Sequence, residues 1–171
     1  VDIITLREPD SMEELHRFGV EGPELILASD PALTLSPAPA EEIDAEFNSA
    51  GADPEGKYIC FALRRWPGFE EKAPLFGAAA EYAYRTYGLT PVFVAVEKHL
   101  DPGAGQLAAR GLTIPHYFLN DAGSAGTIIG ALSRMQAVVS MRLHALIFAA
   151  GLGIPLAGVV YAPKVSAFLR Y

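Results

Sequence analysis

The stretch AVVSMRLHALIFAAGLGIPLAGVV, residues 137–160, decides the fold. It opens on a short apolar run, 137–139. A polar step at Ser140 and Arg142 leads into an apolar segment of helical length, 141–150. Gly151 and Gly153 break that segment, and a second apolar run follows at 154–160. Strand, helix, glycine break and strand make the βαβ unit of a parallel sheet. Apolar runs of this kind suit strands covered on both faces. Residues 145–162 carry no charge, which reaches the length of a membrane-spanning helix. The glycines and Pro155 inside that span favour a helix that breaks and gives way to a strand.

The same alternation extends to both ends of the chain. Further strands are predicted over 1–6, 25–28, 58–63, 91–96 and 114–118. Helices are predicted from Ser11 to Gly19, over 40–50, 73–87, 106–110 and 124–135, and from Pro163 onward. Ser11 and Glu14 have the spacing of a capping box, with Met12, Leu15 and Phe18 as the buried stripe of that helix. Ile43 and Phe47 should face inward from the second helix. Leu75, Phe76, Ala79, Tyr82 and Ala83 should do so from the third, and Ile128, Leu132 and Met135 from the fifth. Residues 30–39 form a Pro-rich connection. Six or seven strands alternating with helices give an α/β fold with a doubly wound, mostly parallel, Rossmann-like sheet. With neither a repeat nor a linker in view, residues 1–171 read as a single domain.

Composition narrows the function. Hydrophobic residues make up 51% of the chain and charged residues 19%, the balance of a packed domain rather than a disordered one. Twenty acidic against thirteen basic residues leave a net charge of −7. Binding to nucleic acid through a broad phosphate footprint needs the opposite sign, so that class is set aside. The single cysteine, Cys60, excludes an internal disulfide framework and disfavours a cysteine metal site. His16, His99 and His116 lack metal-ligand spacing, so no metal is expected. The chain begins at Val1 without a signal peptide, which suggests a domain of a longer cytosolic protein.

Ligands of such sheets sit beyond the carboxyl ends of the strands. Arg7 follows the first strand there, Asp30 the second, and Arg64 and Arg65 the third. Glu97, Lys98 and His99 follow the fourth, and Asp121 the fifth. Ser140, Arg142 and His144 follow the sixth, and Lys164 the seventh. Cations on one edge of an acidic body suggest a local anion site. Ser140 reads as an N-cap, which puts Arg142 in the first turn of the next helix. Pro163 suits the first helical position, which puts Lys164 in a first turn as well. The helix dipole disfavours cations there. A bound phosphate or carboxylate would offset that, and so would a salt bridge to Asp30 or Asp121. His144 stands in a greasy helix, where a lone histidine is ordinarily a core residue. At the ligand edge it would instead suit proton transfer near neutral pH. Residues 103–108 match G-x-G-x-x-A, but residues 97–102 separate them from the preceding strand, so a dinucleotide site is not expected.

Residues 140–150, followed by Gly153-Ile154-Pro155 and Tyr161-Ala162-Pro163-Lys164-Val165, resemble the polysaccharide pyruvyl transferases, and most nearly their CsaB-like branch. Looser agreement covers Arg7-Glu8 with Ser11 and Leu15, then Ser29-Asp30-Pro31-Ala32, and Leu63-Arg64 with Trp66. The resemblance implies one domain, the C-terminal one, of a GT-B-type enzyme with two Rossmann-like domains. It implies transfer of the enolpyruvyl unit of phosphoenolpyruvate onto two hydroxyls of a sugar, giving a pyruvate ketal and phosphate. It implies no cofactor beyond that substrate. The family's R-x-H pair falls on Arg142 and His144, its basic residue after the third strand on Arg64, and its lysine after the seventh on Lys164. His144 and Lys164 are then the catalytic candidates, and Arg7, Arg64, Ser140 and Arg142 the donor-binding set. The acceptor would be a lipid-linked or polymeric glycan containing N-acetylmannosamine. The location would be cytoplasmic, at the inner face of the membrane through that acceptor, and this chain alone would be inactive. The family's Pro-rich segment after the fourth strand is replaced here by residues 96–101.

Two other functions fit the same strand edge. A GT-B glycosyltransferase would hold the diphosphate of a nucleotide-sugar there, although no acidic residue suited to reading the ribose or base stands out. A non-catalytic domain would bind an anionic glycan or partner there.

Overall fold

A computed structural model describes residues 1–121 and 123–170. The strands are β1 (Ile3–Leu6), β2 (Glu24–Leu27), β3 (Tyr58–Ala62), β4 (Thr90–Val94), β5 (Tyr117–Leu119), β6 (Met135–Ser140) and β7 (Leu156–Gly158). The helices are α1 (Pro9–Arg17), α2 (Ala40–Ser49), α3 (Phe69–Tyr87), α4 (Pro102–Ala108), α5 (Ala125–Ser133), α6 (Leu143–Gly151) and α7 (Pro163–Leu169). A single 3-10 turn, Pro31–Thr34, lies between β2 and α2.

Burial on both faces explains the five-stranded sheet, ordered β5-β4-β3-β6-β7 and parallel throughout. Every residue of β3 is buried. Tyr58, Cys60 and Ala62 face one core with Ile43 and Phe47 of α2, Leu132 of α5 and Phe148 of α6. Ile59, Phe61 and Leu63 face the other, with Phe69 and Phe76 of α3 and Ala108 of α4. Helices on both faces of a parallel sheet give the doubly wound α/β architecture. In the first of these cores, burial also pushes the Cys60 thiol up, which keeps it unreactive.

Sheet membership differs from the expectation of one continuous sheet. β1 and β2 pair only with each other, joined by α1 in a small βαβ unit. α1 begins at Pro9, before the expected Ser11. The capping box does not form, because Ser11 Oγ reaches back to Glu8 instead, at 3.3 Å. Phe18 is 80% exposed, and α1 buries no residue fully. Its stripe meets only a two-stranded sheet, which is too narrow to cover it.

α3 starts at Phe69, ahead of the expected residue 73, and presents another face. Phe69, Ala73, Phe76, Gly77, Ala80 and Ala83 are buried, whereas Leu75, Ala79 and Tyr82 are exposed. The cause is close approach to α4: a Cβ on Gly77 would stand 2.6 Å from the Ala108 carbonyl oxygen. A residue without a side chain is therefore required at position 77, while Phe76 and Ala83 face inward as expected. Gly105, in the G-x-G-x-x-A stretch, lies within α4, where a Cβ would meet Phe93 at 3.0 Å, so its role is packing. Met135 ends outside α5 and opens β6, still buried. No helix among the described residues is long and apolar enough to cross a membrane.

Candidate functional site

The chain leaves β3 for β4 on one side and later returns to β6 on the other, so the sheet's order reverses between β3 and β6. A crevice at the carboxyl ends of the strands is the usual ligand position in such sheets. The segments after β3, β6 and β7 carry the candidate side chains to that edge.

Arg64 follows β3. Its Nη1 donates to the Tyr161 hydroxyl at 3.0 Å, and its Cζ lies 5.2 Å from the centroid of the same ring. Its Nε is buried without a hydrogen-bond partner. Tyr161 comes from the connection between β7 and α7, and Trp66 packs 6.2 Å from its ring. Lys164, in the first turn of α7, is exposed. Among the described residues neither Arg64 nor Lys164 forms an ion pair.

Arg142 behaves differently. It is itself the N-cap of α6, in extended conformation, so α6 begins later than expected and Ser140 is not the cap residue. Ser140 closes β6 and is fully buried. Its hydroxyl accepts from the Arg142 amide at 2.9 Å and has the Ala62 carbonyl at 3.2 Å as a neighbouring acceptor. Ser140 therefore shapes the turn from within. The Arg142 side chain lies side-on to Asp101, with Nε 3.0 and 2.9 Å from the two carboxylate oxygens and Nη2 bonded to Oδ1. The salt bridge considered as the alternative to a bound anion is present, with Asp101 as the partner in place of Asp30 or Asp121.

His144 is exposed, although Leu143 and residues 145–149 around it are buried. It is not a core histidine. It lines an open cleft together with Val96, Ser124 and Phe148. Arg7 and Lys164 meet in a neighbouring narrow cleft walled by Leu143, Ile147 and Phe168. Arg7 pairs there with Asp30 at 2.6 Å, and Asp30 also accepts from the Ala32 amide at 2.9 Å. Burial works against ionisation of Asp30. The Ala32 amide and Arg7, with His144 close enough to add its field, outweigh burial and hold the carboxyl below the usual range.

The structure thus joins Arg7 with Lys164, opens His144 to the neighbouring cleft, and ties Arg64 to Tyr161 of the β7–α7 connection, just ahead of the helix that carries Lys164. It turns Arg142 into Asp101. Two contributors escaped the sequence reading of the site. Tyr161 stands inside the 161–165 motif, where it could have been noticed. Asp101 closes the 96–101 segment, and no local pattern links it to Arg142. Among the described residues no group of three His, Cys, Asp or Glu side chains could hold a metal ion.

A family model described as polysaccharide pyruvyl transferase matches residues 1–163. No curated protein matches the sequence. Among solved structures, the UDP-GlcNAc 2-epimerase from Neisseria meningitidis bound to UDP-GlcNAc aligns with a TM-score of 0.72 and 13% identity, over 99% of this chain and 47% of that one. The Methanocaldococcus jannaschii UDP-GlcNAc 2-epimerase, in complex with UDP-GlcNAc and UDP, gives 0.69 and 12%, over 99% of this chain and 48% of that one. The chain spans about half the length of either enzyme, and the likeness is one of fold.

Proposed function

The chain belongs to the polysaccharide pyruvyl transferase family, and on that premise we propose that its strand edge holds phosphoenolpyruvate while the pyruvyl unit passes to a sugar of a cell-wall or exopolysaccharide. The observation that carries this reading is Arg64. Among the described residues its hydrogen-bond partner is the Tyr161 hydroxyl, its Nε is buried and unpartnered, and no carboxylate pairs with it. Arg64 is partly exposed, and an anion bound at the open part of its guanidinium would offset the charge that Tyr161 leaves uncompensated. Among the described residues Lys164 is a second cation without an ion-pair partner. Phosphoenolpyruvate offers two anionic groups, a carboxylate and a phosphate, to these two cations.

The chemistry then assigns roles. His144, open to the cleft, delivers a proton to the methylene carbon, and C2 becomes an oxocarbenium-like centre. A sugar hydroxyl adds to C2 and loses its proton. The C2–O bond to phosphate breaks as Lys164 balances the charge on the departing group. A second hydroxyl adds to C2 and closes the ketal. Of the two hydroxyl protons, one replaces the proton given to the methyl carbon and the other leaves with phosphate. Arg7 lines the same cleft as Lys164, where Asp30 offsets its charge and leaves it as an oriented hydrogen-bond donor. Ser140 holds the turn that presents Arg142. No cofactor or metal enters these steps.

The acceptor glycan, lipid-linked or polymeric, would approach from a second domain of a longer enzyme. The reaction would run in the cytoplasm, where phosphoenolpyruvate is made, at the inner face of the membrane through the acceptor.

Titration of the chain with phosphoenolpyruvate, UDP and UDP-GlcNAc, followed by amide chemical shifts, tests the reading. Shifts at Arg64, residues 140–144 and Lys164 with phosphoenolpyruvate alone support it. A response to the UDP compounds only would favour a nucleotide-sugar enzyme. No response to any of them would favour a non-catalytic domain.

A further inference from the structure

Resting on the reading above, we infer that Asp101 is a positioning residue for donor binding, acting through Arg142. Asp101 is almost completely buried, with its side chain 1% exposed. Its Oδ2 accepts the amide hydrogens of Val96 and Glu97 at 3.1 and 2.9 Å. These bonds fix the carboxylate to the loop after β4. Both its oxygens then receive the Nε edge of Arg142. Asp101 comes after β4 and Arg142 after β6, and β3 lies between those strands. The ion pair therefore bridges across the end of β3, the strand that leads to Arg64.

The consequence follows from the shape of the guanidinium. It has five N–H donors in a rigid fork. Side-on pairing occupies Nε and one hydrogen of Nη2. The two Nη1 hydrogens and the second Nη2 hydrogen remain. The Arg142 side chain is 16% exposed, so part of it is still open to a ligand. A buried ion pair contributes little net stability, because desolvation offsets most of the Coulomb gain. What this pair does supply is a fixed orientation and a reduced local charge. Arg142 thus serves as an oriented hydrogen-bond donor, and the free charge of the site sits on Arg64 and Lys164.

A double-mutant cycle on phosphoenolpyruvate kcat/KM in the full-length enzyme tests this, with Asp101→Asn, Arg142→Lys and the pair together. Each single variant should lose about tenfold or more, and the double variant should be no worse than the poorer single. A merely structural Asp101 would act independently of Arg142, and its loss would multiply with that of Arg142→Lys. Values are taken per folded molecule. Should Asp101→Asn not fold, Asp101→Glu keeps the charge, displaces the carboxylate by a methylene, and carries the same cycle. Multiplying losses in an active enzyme overturn this inference alone. A wild-type enzyme inert towards phosphoenolpyruvate overturns the functional reading and this inference with it.

Discussion

Arg64 rests over the ring of Tyr161 and donates to that residue's hydroxyl, with Nη1 to oxygen at 3.0 Å and Cζ to ring centroid at 5.2 Å. The tyrosine orients the guanidinium and leaves its charge intact. Arg142 is in the opposite state, oriented by a carboxylate that offsets its charge. Two arginines near one strand edge can therefore do different work on one ligand.

Tyr161→Phe keeps the ring under Arg64 and removes the hydroxyl. Arg64 loses its only hydrogen-bond partner among the described residues. Affinity for phosphoenolpyruvate should fall by about 1–2 kcal/mol, roughly five- to thirtyfold, with little change in melting temperature. Calorimetric titration beside a thermal melt measures both. An unchanged affinity would mean that Tyr161 plays no part in presenting Arg64.

His144→Gln in the full-length enzyme should lower kcat by about 100-fold or more and leave the melting temperature in place. The side chain is exposed, so the amide disturbs no packing, and it cannot titrate. A normal kcat in a well-folded variant would remove His144 from the proton-transfer step.

Asp30 makes stability depend on pH. Burial opposes its ionisation, yet the Ala32 amide, Arg7 and His144 hold its pKa below the ordinary value of 3.8. A carboxyl lowered in this way stabilises the fold above its unfolded pKa. That contribution is lost as pH falls through the lower folded value. Asp30→Asn should therefore melt below wild type near neutral pH, and the two curves should converge as the pH drops below about 4. Parallel melts across that range give the comparison. A gap of constant size at all pH values would mean the ion pair with Arg7 is not its source.

Gly77→Ala should destabilise the fold, against the usual preference for alanine in a helix. The added Cβ would lie 2.6 Å from the Ala108 carbonyl oxygen, a backbone atom that cannot swing aside. Overpacking costs about 1–3 kcal/mol, which exceeds the gain of up to about 1 kcal/mol in helix propensity. A raised melting temperature would show that α3 and α4 can separate freely.

Strands β3 and β4 were legible because burial on both faces writes an apolar run into the sequence, and β6 carries a shorter run of the same kind at residues 137–139. The face of α3 was not. Leu75 and Tyr82 are larger than Gly77 and Ala80, but the close approach of α4 at Gly77 sets the inner face of the helix on the Phe76, Gly77 and Ala80 side. The separation of β1 and β2 from the main sheet was hidden too, since a local pattern identifies a strand and not its neighbour. At the site, Arg64, His144 and Lys164 could be found from their places after strands. The partner of Arg142 could not, because Asp101 lies 41 residues away in sequence. The tight turn at Ser140 also moved the cap of α6 to Arg142, beyond what N-cap preference indicates.

Whether Arg64 holds the donor is decided by equilibrium binding of phosphoenolpyruvate to the wild-type chain and to Arg64→Gln. Wild type should bind saturably, and removal of the guanidinium should weaken binding tenfold or more, about 1.4 kcal/mol. Wild-type protein that fails to bind, or an Arg64→Gln variant that binds equally well, would contradict that role for Arg64.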